Sequence, residues 1–177
     1  MATFALKSEL LFEHTVQWAQ NRLVLKLHRW TDYPAKLLVS VRGVIFRGSR
    51  VIVVWAQTPN DGIMSHIMPG GRVEEGETEM QALRREAAEE TGWCIARPRP
   101  LAVLHYHHLT PRPKGHKFAH PDFVQPIYLV DGTRYDRGLL KREGEIETGA
   151  RLMSAREAAK IVTEESRILL REALAMR

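Results

Sequence analysis

The order of secondary-structure signals predicts an α+β sandwich. β-rich runs come first, an amphipathic helix interrupts them, more β-rich runs come after it, and a helical stretch closes the chain. The 177 residues suit one domain with a proper core. No internal repeat or low-complexity tract competes with that order.

The chain opens on its least regular pattern. Val16, Ala19, Leu23, Leu27 and Trp30 share one helical face, which predicts a helix before Asn21. Beyond it, Leu23, Leu25 and Leu27 alternate with Arg22, Lys26 and His28 in places, and Asp32-Tyr33-Pro34 reads as a turn. Leu37 to Phe46 and Val51 to Trp55 are β-rich, and Gly48-Ser49 between them signals a hairpin. Pro59-Asn60-Asp61-Gly62 is turn chemistry, so Thr58 to Met68 reads as a loop. It leads straight into Pro69, which puts His66 and Met68 at the mouth of a site.

Pro69-Gly70-Gly71 is a tight turn that allows close backbone approach. Thr78 with Gln81 three residues on forms a capping box, Met80, Leu83 and Ala87 give the helix a narrow apolar face, and Gly92 fits a left-handed stop. Leu101 to Leu109 reads as a strand, with Val103, His105 and His107 on one face. Thr110 to His120 is a basic loop, Phe123 to Val130 a strand, Arg134 to Gly144 a polar loop, and Ala150 to Met153 a short strand. Ser154 and Glu157 form a second capping box. It opens a helix that runs almost to the end, with Ala158, Ile161, Val162, Ile168 and Leu169 on its buried face.

The chemistry concentrates in the first helix. Glu86, Glu89 and Glu90 stand at i, i+3 and i+4, so three carboxylates share one face. Like charges so close repel by a few tenths of a kcal/mol per exposed pair, roughly, unless water screens them or a cation neutralises them. Hard oxygen ligands on a rigid face suit Mg²⁺ or Mn²⁺.

The stretch from Pro69 to Trp93 resembles the box of the Nudix hydrolases, G-x5-E-x7-R-E-U-x-E-E-x-G-U, where U is a bulky apolar residue. Gly71, Glu77, Arg85, Glu86, Glu89, Glu90 and Gly92 fall on the fixed positions, and Trp93 on the last U. Ala87 is smaller than usual at the first U.

The resemblance implies a Nudix-type α/β/α sandwich: a mixed sheet between helices, with the box loop and helix at the site. It implies Glu86, Glu89 and Glu90 as metal ligands, joined by the Gly70 carbonyl, with Gly71, Glu77, Arg85 and Gly92 supporting the loop and helix. Such enzymes cleave a pyrophosphate bond in a nucleoside diphosphate linked to another moiety. Many relatives use a further carboxylate from a loop before the last strand, and here Glu145 and Glu147 share a parity in REGEIETG. The other reading is a catalytically silent Nudix-fold nucleotide-binding or regulatory module. A core domain of this family needs little of residues 1–36. They read as an extension packed on the domain or on a second subunit of a homodimer, with the Nudix domain over 37–177.

Outside the box, Glu74, Glu75 and Glu79 read as solvated. Lys114 and Lys117, with His66, are candidate substrate contacts. The histidines from His105 to His120 have no zinc-site spacing with a cysteine pair. Cys94 is the one cysteine, which excludes an intramolecular disulfide, and it reads as a small core residue. A net charge of +5 and a pI near 9.6 suit an anionic small-molecule substrate, while no long Lys/Arg block indicates nucleic acid. No apolar run reaches membrane-spanning length and the start lacks a signal pattern, so a cytoplasmic protein is expected.

Overall fold

Alternation along one strand divides the molecule into layers. On β3 (Ser40–Arg47), Val41 and Ile45 face one way, into a core cluster with Ala82, Leu83 and Ala87 of helix α1 (Glu79–Thr91). Val44 and Phe46 face the other way, into a larger cluster with Ile168, Leu169 and Ala173 of helix α3 (Glu164–Ala175). The computed structural model describes residues 4–177 apart from 19, 58–63 and 142–146; the side chains of Trp18, Ala56, Gln57, Met64, Glu147 and Thr148 are also outside the description.

Among the described residues, nine strands form one sheet. Its main path runs β1 (Leu10–Trp18), β2 (Asn21–Arg29), β7 (Trp93–His108), β8 (Asp122–Tyr135), β3, β4 (Arg50–Gln57), β5 (Met64–Ile67). Short β6 (Gly70–Arg72) pairs with β3, and β9 (Glu147–Ser154) pairs with β4. The β3–β8 pair is parallel and the other named pairs are antiparallel, so the sheet is mixed. With α1 on one face and α2 (Ala155–Ile161) and α3 on the other, this is the α+β sandwich expected from the sequence.

The box helix has the ends its sequence encodes. Gln81 N donates to Thr78 Oγ1 at 3.3 Å, and Thr78 N donates back to Gln81 Oε1 at 2.8 Å. Gly92 closes the helix at φ 72°, and a Cβ there would lie 2.8 Å from the Tyr135 ring, so both conformation and space require glycine.

Several sequence readings need correction. The stretch expected to begin as a helix is a β-hairpin: β1 pairs with β2, and β2 pairs with β7 from Leu23↔His108 to Arg29↔Ala102. Leu23, Leu25 and Leu27 are buried at period two, and the strand wins because β7 pairs with β2 residue by residue from Leu23 to Arg29. The segment also fixes the start of α1, because Tyr33 and Tyr128 both donate to Glu79, the latter at 2.5 Å. Glu79 is therefore bound, not solvated. Burial first, then the Glu79 carboxylate, raises the pKa of both tyrosines.

The expected C-terminal helix is two helices. Val162 is extended, its backbone bridges His66, and Thr163 N donates to His66 O at 3.0 Å. A strand-like contact to β5 interrupts the helix, with no Gly or Pro to announce it. The same β5 lies in the stretch read as a loop from Thr58 to Met68. Met68 is fully buried in the core and not at a site mouth. Cys94 is half-buried on β7, with Arg134 Nη2 at 3.7 Å from its sulfur, and not in the core. The stretch from Arg134 begins as the end of β8 and continues through a 3₁₀ turn at Arg137–Leu139. No helix among the described residues is long and apolar enough to cross a membrane.

Leu169 is 1% exposed in the α3 layer, whereas Leu174 on the same helix is 46% exposed. Leu169→Ala is expected to cost about 2–5 kcal/mol by denaturant unfolding, through lost burial and the cavity left behind. Leu174→Ala is expected to stay within about 0.5 kcal/mol of the parent.

Candidate functional site

The Arg85 guanidinium is the hub of the box. Its Nε and Nη2 donate to the two oxygens of Glu77, each at 3.0 Å. Nη2 also donates to the Arg72 carbonyl at 2.8 Å, and Nη1 reaches Glu86 Oε1 at 2.9 Å and Glu89 Oε2 at 3.3 Å. One planar fork thus ties the loop strand β6, the approach to the helix and two helix carboxylates together, a geometry that only guanidinium offers. Glu77 also accepts from the Glu74 backbone N–H at 3.1 Å. The hydrogen bond from Arg85 holds the Glu77 carboxyl below the usual range, and Glu77, then Glu86, raises the pKa of Arg85.

Two of the three helix carboxylates, Glu86 and Glu90, are brought to the Gly70–Gly71 loop. Gly70 N donates to Glu90 Oε2 at 2.8 Å. A Cβ on Gly71 would lie 2.2 Å from Glu86 Oε1, so the carboxylate rests against bare backbone. A Cβ on Gly70, at φ 147°, would lie 2.2 Å from the Val41 carbonyl oxygen. Glu89 and Glu90 are 8% and 9% exposed, and charges so buried need partners. Glu89 has Arg85 and the ammonium of Lys141, whose backbone N–H also donates to the Glu89 carbonyl at 2.9 Å. Nothing in the sequence marks Lys141 for this place, because it lies more than fifty residues along the chain, inside a polar stretch with no periodicity.

Two cavities flank this rim. One, of about 680 Å³, lies between the end of α1 and strands β4 and β9, with Glu89, Glu90, Lys141 and Arg151 on its lining. The other, of about 400 Å³, opens on the far side of Gly70 and Gly71, between β3, β7, β8 and the 109–121 loop.

The remaining candidate residues are dispersed. Glu145 lies outside the described residues. The Glu147 backbone pairs with Ala56 at the end of β9, and its side chain is outside the description. Gly149, two residues on, lines the larger cavity. His66 sits on β5 against the Trp55 ring, 6.2 Å between centroids. Lys114 and Lys117 are exposed. None of these three lines either cavity. From the basic loop, His116 and Phe118 line the smaller cavity instead, with Phe118 under the Arg72 guanidinium at 4.8 Å.

The histidines of this region are packed together. His105 is 3% exposed and shares Asp122 Oδ1 with His107, both at 2.8 Å, while His108, His116 and His120 lie within 4.8–5.8 Å of one another.

A family model described as NUDIX domain matches residues 36–173. A Nitrosomonas europaea Nudix hydrolase superposes at TM-score 0.60 with 21% identity, covering 80% of this chain and 90% of that one. A Bacillus subtilis pyrophosphohydrolase superposes at TM-score 0.63 with 19% identity, covering 94% and 98%. At these identities the likeness is one of fold. A Mycobacterium tuberculosis protein provisionally named 8-oxo-dGTP diphosphatase 2 is 43% identical over 58 residues, which are 33% of this chain. The chain spans about two fifths (41%) of the length of that curated relative.

The Glu77–Arg85 link sets an acid dependence. A carboxyl held below its ordinary 4.5 adds stability that is full above that pH and fades as pH falls through the lowered value. Thermal melts of the parent and Glu77→Gln across the acid range are expected to converge as pH drops below 4.5, with the parent more stable above it.

Proposed function

Because this chain belongs to the Nudix family, we propose that it is a metal-dependent pyrophosphohydrolase. It cleaves a pyrophosphate bond in a nucleoside diphosphate linked to another moiety, by attack of water on phosphorus. The observation that carries this reading is the gathering of Glu86 and Glu90 at the Gly70–Gly71 backbone, beside Glu89 and between two cavities.

The donor set fits a hard divalent cation: carboxylate oxygens of Glu86, Glu89 and Glu90 with the Gly70 carbonyl suit Mg²⁺, or Mn²⁺. As the side chains stand, Arg85 and Lys141 balance Glu89, and no three His, Cys, Asp or Glu groups among the described residues are drawn together as a metal cluster. The fit is therefore one of donor chemistry at a loop where bare glycine leaves room. A bound cation would supply charge neutralisation at the phosphoryl oxygens and a more acidic water.

The chain's own residues do the rest. Arg85 and Glu77 hold the helix against the loop, so the carboxylates keep their positions as charge changes during the reaction. In the proposed chemistry, the water oxygen bonds to phosphorus as the bridging P–O bond breaks, and a carboxylate takes the water's proton. Glu145 or Glu147 is the proposed acceptor. The bridging oxygen leaves as a phosphate anion, close to Lys141 and Arg151 on the lining of the larger cavity.

The test is a panel of nucleoside triphosphates, including 8-oxo-dGTP, dinucleoside polyphosphates and nucleotide sugars, incubated with Mg²⁺ and read for nucleoside monophosphate. Cleavage of at least one member is expected, and Glu86→Gln and Glu90→Gln are each expected to slow it by about 10²-fold or more while the melting curve is retained. Full activity in both variants would contradict the assignment of the carboxylates. Tight nucleotide binding without cleavage of any member would leave the silent binding module as the better reading.

A further inference from the structure

We propose that the smaller cavity holds the nucleobase of the substrate and prefers bases whose edge carries oxo acceptors, with Arg42 as the specificity-determining residue. The inference rests on the pyrophosphohydrolase reading for its ligand, but its evidence is separate.

One wall of the cavity is aromatic. Tyr106 and Phe123 stack in parallel on the wall, 4.5 Å between centroids and 4° between planes. Phe118 enters from the 109–121 loop and is held there by the Arg72 guanidinium. A volume of about 400 Å³ falls in the range of small-molecule sites. Mostly apolar walls with a few polar groups recognise a planar ligand by stacking and a small number of hydrogen bonds.

The polar groups on that wall are biased towards donors. The lining contains no Asp or Glu. The Gln125 amide is committed at both ends: Nε2 donates to Ser40 Oγ at 2.8 Å, and Oε1 accepts from Tyr106 O–H at 3.4 Å. Asn21 Oδ1 accepts from Thr110 Oγ1 at 3.3 Å, which leaves its NH₂ as the end available to a ligand. Arg42 has five N–H donors. Among the described residues, its one hydrogen bond is Nη1 to the Met68 carbonyl, at 3.2 Å, and its Nε is buried with no partner. Its side chain lies over the box loop, since a Cβ on Gly70 would meet Arg42 Cγ at 2.8 Å. Arg42 thus stands between the cavity and the carboxylate rim, with most of its donors uncommitted.

A base presenting oxo oxygens, such as guanine or uracil, gives such a wall the acceptors it lacks. Adenine offers only ring-nitrogen acceptors, and its exocyclic amine sets donor against donor next to a fixed positive charge. Discrimination of this polar kind is stronger than pocket shape alone achieves, because the wrong ligand leaves buried groups unpaired. His108 and His116 line the same cavity and serve either role, since a neutral imidazole carries one donor and one acceptor.

The experiment is calorimetric titration of the metal-free full chain with GMP, UMP, AMP, CMP and ribose 5-phosphate near neutral pH. Monophosphates carry no pyrophosphate bond, so binding is read without turnover. GMP and UMP are expected to bind at least about tenfold more tightly than AMP, with ribose 5-phosphate weakest. Arg42→Met is expected to bring GMP and AMP within about twofold of each other. Should that variant fail to give the parent's circular dichroism, Asn21→Ala, which removes the other outward donor, is expected to narrow the preference by about threefold. Equal binding of all five ligands, binding of none, tighter binding of AMP, or a preference that the folded variants leave unchanged would overturn the proposal. Ribose 5-phosphate binding as tightly as GMP would show a phosphate site and overturn it too. Failure of every substrate to be cleaved in the presence of Mg²⁺ would sink the hydrolase reading but leave this binding result standing.

Discussion

Everything at the rim depends on one guanidinium. Arg85 engages Glu77, the Arg72 carbonyl, Glu86 and Glu89 at once, and so fastens the loop to the helix across the gap where the carboxylates gather. A cluster of anions on one helix face opposes folding unless something offsets it. Here a fixed cation does so for Glu86 and Glu89, and a backbone N–H does so for Glu90. A lysine at this position would lose the bidentate grip on Glu77, since a single ammonium cannot match two oxygens and a carbonyl in one plane.

The sheet explains why the rim has two cavities and not one. β3 runs parallel to β8 and antiparallel to short β6, so the glycine loop lands at the start of β3, where the core ends. Side chains of opposite parity on the central strands then line opposite faces. Ile52 and Leu152 border the larger cavity beside α1, while Ser40, Arg42, Phe123 and Gln125 border the smaller one on the α3 side. The carboxylates lie where the two faces meet. The two cavities are built differently: Lys141 and Arg151 line one, aromatic rings and Arg42 the other, which suits the phosphorylated and base ends of the proposed substrate.

The box was legible because its chemistry is local. Thr78, Gln81 and Gly92 fix the helix ends within the segment itself, and Glu86, Glu89 and Glu90 need only helical spacing to share a face. The central strands were legible for a similar reason, since alternation is written in each strand alone. The features that stayed hidden depend on partners distant in sequence. Val16, Leu23 and Leu27 fit a helix or a strand, and pairing of β2 with β1 and β7 decides between them. The break at Val162 comes from a backbone contact to His66 almost a hundred residues earlier. Arg42 looks like an ordinary strand residue in the sequence, and its underused donors appear only once Met68, Gly70 and the aromatic wall surround it. The lysines of the basic loop draw notice for their charge, yet the loop meets the cavity through His116 and Phe118.

The central claim is that Glu86 and Glu90, held at the Gly70–Gly71 loop, are the side chains that take a divalent cation. Electron paramagnetic resonance of free Mn²⁺, titrated against the protein without nucleotide, tests it most directly, because bound ion leaves the free-ion signal. The parent protein is expected to deplete that signal, and the Glu86→Gln, Glu90→Gln double variant to bind at least about tenfold more weakly, the scale set by loss of metal-site groups. Equal depletion by the two proteins would contradict the claim and place the cation elsewhere in the molecule.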